Sequence, residues 1–96
     1  MTVLFHPEAE AEFRDAIFWY EHQRKGLGFE FVLCIDEAVE RIRRSPETYP
    51  KVHKSIRRMV VRRFPFALFY EVVDTQIRVL AIFHSRRDPS RWHSRR

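Results

Sequence analysis

RRMVVRRFPFALFYEVVDTQIRVLAIFHSRRDP, residues 57–89, is the stretch on which the fold turns. Three apolar runs lie in it, at 59–64, 66–73 and 77–83. Each is rich in Val, Ile, Phe or Tyr and is short enough for a single strand. Pro65 separates the first two runs, and Asp74-Thr75-Gln76 separates the second two. Such tight connections predict an antiparallel meander. Basic residues gather at its ends: Arg57, Arg58, Arg62 and Arg63 on the first strand, and His84, Arg86 and Arg87 after the last.

The 96 residues are expected to form one domain spanning 1–96. A chain this short buries only about two thirds of the surface its unfolded form exposes. Nine Phe, three Tyr and two Trp supply large apolar side chains to offset that. The hydrophobic fraction of 45% argues against disorder. The net charge is +5 and the pI about 10.0, which favours an anionic partner such as nucleic acid or an acidic protein. A merely soluble basic surface reads the same way from composition alone. Cys34 is the single cysteine and falls among helical apolar positions, so it reads as a small core residue and allows no intramolecular disulfide. No stretch resembles a signal peptide, and none approaches the ~20 apolar residues of a membrane helix. A cytoplasmic location follows as the default expectation.

Outward toward the N-terminus, residues 2–6 read as a short strand. Pro7 suits the first position of a helix, where its missing N–H would have no partner anyway. Glu8, Glu10 and Glu12 place negative charge near the positive end of the helix dipole. Ala9, Phe13, Ala16, Ile17 and Tyr20 recur at helical spacing. The first helix is expected over residues 7–25, with Gly26 as its left-handed cap. Leu27-Gly28 breaks the chain, and a second helix carries Phe31, Ile35, Ala38 and Ile42 on one stripe, ending at Ser45-Pro46. Residues 47–54 read as a loop. Residues 90–96 read as a polar end, apart from Trp92, that frays.

The order is β-α-α-β-β-β, an α+β domain in which a helical hairpin packs on one face of a twisted antiparallel sheet. On the middle strand Phe66, Leu68, Tyr70 and Val72 share one face, assigned to the helices. Ala67, Phe69, Glu71 and Val73 share the other. Phe69 on that second face suits a partner contact, or a sheet curled over a second small core.

The RRMVVRRFPFALFYEV and IRVLAIFHSRRDP segments, with Trp92 downstream and a hairpin opened by Pro7-Glu8, resemble the RelE/ParE superfamily of bacterial toxins. The resemblance spans essentially the whole chain. It implies the toxin of a type II toxin–antitoxin system, neutralised by a cognate antitoxin whose C-terminal segment occupies the toxin's surface. It also implies one of two activities: ribosome-dependent mRNA cleavage without metal, as in RelE-like members, or inhibition of DNA gyrase, as in ParE-like members.

The nuclease reading rests on Arg58, Arg62, His84 and Arg86. Cleavage needs cations on the scissile phosphate and a proton donor for the leaving oxygen. RelE-like nucleases commonly carry an arginine just before the L-x-Y segment of the middle strand, and here that position is Ala67. The missing cation favours the ParE-like reading. Arg57, Arg63, Phe69, Glu71, Arg87 and Trp92 are then candidates for contact with target or antitoxin. The plainer readings are a charged edge strand that discourages aggregation, an Arg–Asp turn at 86–89, and a tryptophan that seals the tail. A basic nucleic-acid-binding module without toxicity is a third reading. His6, His22, His53, His84 and His93 show no paired-ligand spacing, so no metal or cofactor is expected. Two glycines, Gly26 and Gly28, make no phosphate loop.

Overall fold

The structure, a computed structural model, describes residues 1–84 and Arg95. Helix α1 (Pro7–Gln23) starts on Pro7, and His6 caps it by accepting a hydrogen bond from Glu8 N at Nδ1, 3.1 Å away. It ends two residues earlier than the expected 25, because Arg24 is extended, with φ −160°. Helix α2 (Leu27–Arg44) begins almost at once. Gly26 is indeed left-handed, with φ +89°, yet it stands at the N-cap of α2 rather than closing α1. The Glu21 carboxylate accepts from Gly26 N at 2.9 Å and Gly28 N at 3.0 Å, covering N–H groups that open α2. Those two bonds, Gly26 first, hold the Glu21 carboxyl below its usual range. Gly28 lets the two helices touch: a Cβ there would lie 2.8 Å from the Ile17 carbonyl oxygen.

The sheet has five strands in the order β1-β5-β4-β3-β2. They are β1 (Thr2–Phe5), β2 (Lys51–His53), β3 (Ile56–Val60), β4 (Phe66–Val73) and β5 (Gln76–His84). Strands β2 to β5 form the antiparallel meander, and β1 joins β5 in parallel with Thr2 opposite Gln76. Two readings of the chain are corrected. The expected loop at 47–54 contains β2, whose Lys51-Val52-His53 has no apolar alternation to announce a strand. The run at 59–64 is not a strand throughout: β3 lies three residues earlier, and Val61 and Phe64 are buried from the connection that follows it.

The helices cover one sheet face. Phe31, Ile35, Ala38 and Ile42 of α2 meet Leu68, Tyr70, Ile77, Val79 and Ile82 in one core, with Phe13 and Ile17 packed against it. Tyr20, Phe31, Phe64 and Phe66 form its aromatic centre, with ring centroids 4.8–6.0 Å apart. The Tyr70 hydroxyl donates to the Pro46 carbonyl at 2.6 Å, tying the end of the helical hairpin to the sheet.

The second face carries a core of its own: Ile56, Ala67, Phe69, Leu80, Ala81 and Phe83. Leu80 and Ala81 are neighbours in sequence yet share this cluster. The register explains it: Tyr70 pairs with Val79 and Phe69 with Ala81, so Leu80 is an extra residue, a β-bulge. Polar side chains take up backbone groups around it. The Leu80 carbonyl accepts from Arg95 Nη1 at 3.0 Å, and Ile82 N donates to Glu12 Oε1 at 3.1 Å. Arg95 is thereby docked, its side chain 9% exposed, where a fraying tail was expected.

Candidate partner interface

Strand β2 pairs with β3 as far as Arg57, and Arg58 N donates to the Pro50 carbonyl at 3.0 Å, so the edge of β3 past Arg58 faces a groove beneath α2. The α2 stripe buries Phe31, Ile35 and Ala38, which turns Leu33 outward at 52% exposure. Val60, on the sheet side, is 54% exposed. Together with Arg41, Arg58 and Arg62 these residues line about 600 Å³ of groove. Of the cations, Arg41 is held by Glu37 at 2.7 Å. Arg58 and Arg62 are exposed, and their side chains form no ion pair among the described residues.

The other first-strand arginines are engaged within the fold. Arg57 is half-buried and donates through Nη1 to the carbonyls of Tyr49 at 2.6 Å and Glu47 at 3.1 Å, bracing the loop before β2. Arg63 pairs with Glu30, which also holds Arg24 at 3.0 Å, and its guanidinium lies 5.4 Å from the Phe64 ring centroid. Hydrogen bonds from Arg63 and then Arg24 keep the Glu30 carboxyl below its usual range. This network fastens the β3–β4 connection to the start of α2.

Of the residues grouped for nuclease chemistry, the three described, Arg58, Arg62 and His84, do not line one concavity. Arg58 and Arg62 border the α2–β3 groove. His84 ends β5, packs against Phe66 with ring centroids 5.7 Å apart, and lines a separate cleft beside α1. Val61 N bonds Phe66 O, and Phe66 pairs with His84, so two strand spacings of about 4.8 Å each separate β5 from the Arg62 end of β3. Ala67 is 2% exposed inside the second core. A charge there would be buried among apolar side chains, at a cost of several kcal/mol (about that order) without a partner.

Phe69 is 7% exposed and Glu71 4%, so neither is presented at the surface. Glu71 accepts from the Ser55 hydroxyl at 3.2 Å. Arg86, Arg87 and Trp92 lie outside the described residues. The groove's floor was missed from sequence, because its apolar members Leu33 and Val60 come from elements far apart in the chain. Among the described residues no cluster of three His, Cys, Asp or Glu side chains could hold a metal, and no helix is long and apolar enough to cross a membrane.

This arrangement of two helices on a mixed sheet has a close counterpart among solved structures. A chain of the chromosomal ParDE toxin–antitoxin system from P. aeruginosa superposes with a TM-score of 0.78 at 19% identity, over 88% of this chain and 95% of that one. At that identity the likeness speaks for the fold. The sequence itself goes further: residues 3–89 match the family model for the ParE toxin of the type II toxin–antitoxin system parDE. The chain belongs to the ParE toxin family. No curated protein sequence matches it.

Proposed function

We propose that this chain arrests growth by inhibiting DNA gyrase through a protein–protein contact, and that a cognate antitoxin silences it. The observation that carries the first half is the burial of Ala67 in an apolar core, at the position where related nucleases commonly place a cation. Loss of one such charge-stabilising donor typically costs an enzyme about 2.7–4 kcal/mol of barrier. The separation of His84 from Arg58 and Arg62 supports the same reading. A toxin that works by occupying a surface needs neither group aligned on a phosphate.

The second half draws on the α2–β3 groove. Exposed Leu33 and Val60 offer apolar contact, while Arg58 and Arg62 have no counter-charge among the described residues. An amphipathic segment with acidic residues matches both features. The neighbour named above is a toxin–antitoxin assembly, which supports a bound antitoxin for this chain as well.

The test sets two reactions side by side. Purified protein is added to gyrase with plasmid DNA, and separately to translating ribosomes with a labelled mRNA. Loss of supercoiling or accumulation of cleaved plasmid, reversed by the cognate antitoxin, is the expected outcome. Codon-spaced mRNA cuts with gyrase untouched would overturn the proposal and establish a ribosome-dependent nuclease.

A further inference from the structure

The cleft beside α1 differs in chemistry from the rest of this basic chain. It holds about 400 Å³, the size of a side-chain or small-ligand site. Trp19, Tyr20, Phe66 and His84 supply ring walls, and Glu12 and Asp15 supply carboxylates. No Lys or Arg is among the described residues that line it, although the chain carries a net charge of +5.

Within the cleft the two carboxylates differ. Glu12 is 16% exposed and already takes both Nη atoms of Arg95, at 2.8 and 2.9 Å. Asp15 is exposed and has no hydrogen bond or ion pair among the described residues. It sits one helical turn before Trp19, so the two side chains rise from one face of α1. Trp19 is 59% exposed, and the edge-on contact with Tyr20, at 5.1 Å between centroids, holds it in place. A flat, exposed indole beside an uncommitted carboxylate is a receptor for a planar cation.

The chain uses that same chemistry twice for its own arginines. Arg63 lies over the Phe64 ring while pairing with Glu30, and Arg95 lies 5.0 Å from the Phe83 centroid while pairing with Glu12. The geometry points to a third such site, open to the outside: the Asp15–Trp19 cleft receives an arginine side chain of a partner protein. The guanidinium stacks on the Trp19 indole, and its fork meets the Asp15 carboxylate. A lysine ammonium would reach the carboxylate but has no flat face to lay on the ring. The site is separate from the α2–β3 groove and does not depend on what fills that groove.

The test uses the full chain labelled with nitrogen-15, following the Trp19 indole N–H signal, assigned with a Trp92→Phe variant. N-acetyl-arginine amide, N-acetyl-lysine amide and the uncharged N-acetyl-citrulline amide are each titrated in. The arginine compound is expected to shift the Trp19 signal saturably, with the citrulline compound at least about fivefold weaker and the lysine compound between them. Asp15→Asn, at an exposed position, is expected to bring arginine down to the citrulline level while the fold is retained. Equal response to arginine and citrulline, an Asp15→Asn titration like that of the wild type, or no shift of the indole signal with any compound would overturn the assignment.

Discussion

Arg95 and Glu12, 83 residues apart in sequence, form a two-pronged ion pair, Nη1 to Oε1 at 2.9 Å and Nη2 to Oε2 at 2.8 Å. The same guanidinium bonds the Leu80 carbonyl, and its Nε lies 2.6 Å from Glu8 Oε2 without hydrogen-bond alignment. Burial pulls the Arg95 pKa down, but Glu12 and Glu8 outweigh it and raise the net value, so the side chain stays charged. One residue thus closes the bulge in β5 and anchors to α1.

Removing one member of this pair strands the other. Arg95→Ala is expected to destabilise the fold by about 2–4 kcal/mol, toward the lower end for a pair that is not fully sealed from water. Glu12→Gln also weakens the tie to Ile82 N. The two changes together are expected to cost less than the sum of each alone, by roughly 0.5–3 kcal/mol. Urea denaturation midpoints of the two single variants and the double variant measure it; strict additivity would deny the coupling.

Gly28 is the contact point of the two helices. Gly28→Ala forces a methyl group to within 2.8 Å of the Ile17 carbonyl, which is backbone and cannot turn aside. The helices must part, at a cost of about 1–3 kcal/mol. The alanine's better helix propensity returns about 1 kcal/mol at most. A net fall in thermal midpoint is expected, and an unchanged or raised midpoint would show that the hairpin has slack.

Stability is expected to fall at both ends of the pH scale for different reasons. Burial pushes the Tyr70 phenol up to about 12, opposed by the nearby Arg57 charge. An unfolded tyrosine ionises near ~10, so the native state holds its proton longer, and stability is lost as pH rises from there toward about 12. Tyr70→Phe removes that alkaline loss, while giving up about 1 kcal/mol at neutral pH with the bond to Pro46. Glu30 acts in the opposite sense. Its folded pKa is depressed, so its contribution is present above the ordinary glutamate range and disappears as pH falls through the depressed value. Denaturation midpoints across the pH range, for wild type, Tyr70→Phe and Glu30→Gln, separate the two limbs.

The proposed interface mechanism makes distinct demands on His84, Arg58 and Arg62. His84→Ala is expected to leave growth arrest intact, since no proton transfer is asked of it. Arg58→Glu with Arg62→Glu places like charge along the groove and is expected to weaken antitoxin capture by at least about tenfold. Growth curves after induction and calorimetric titration with the antitoxin read these out. Growth restored by His84→Ala in a folded, soluble protein would return the nuclease reading to first place.

The helices and β4 were legible because their signals are local. The stripe Phe31, Ile35, Ala38, Ile42 repeats at one period, and residues 66–73 read as a strand and are one. The displacement of β3 was not legible, since Val60-Val61 looks like a strand centre and Arg57-Arg58 like an end. Tertiary packing decided it: Val61 and Phe64 dive into the helical core instead of continuing the ladder. The bulge at Leu80 hides inside an unbroken apolar run, where shifting one residue between faces leaves no trace in composition. At the site, the cations were visible but not their commitments. Whether an arginine braces a loop, as Arg57 does, or stands without a counter-charge among the described residues, as Arg58 does, depends on contacts that sequence spacing does not encode. Arg95 and Glu12 are two charged residues near opposite ends of the chain, with nothing local to link them.

The parallel pairing of β1 with β5 puts a clock into synthesis. Thr2 finds its ladder partner at Gln76 and Phe5 at Val79, so the first strand made waits for the last. At about 5–20 residues per second the nascent chain spends several seconds with Val3 and Phe5 unsatisfied. The sheet therefore cannot close until β5 has been made, and no nascent fragment that stops short of Gln76 gives β1 its ladder partner.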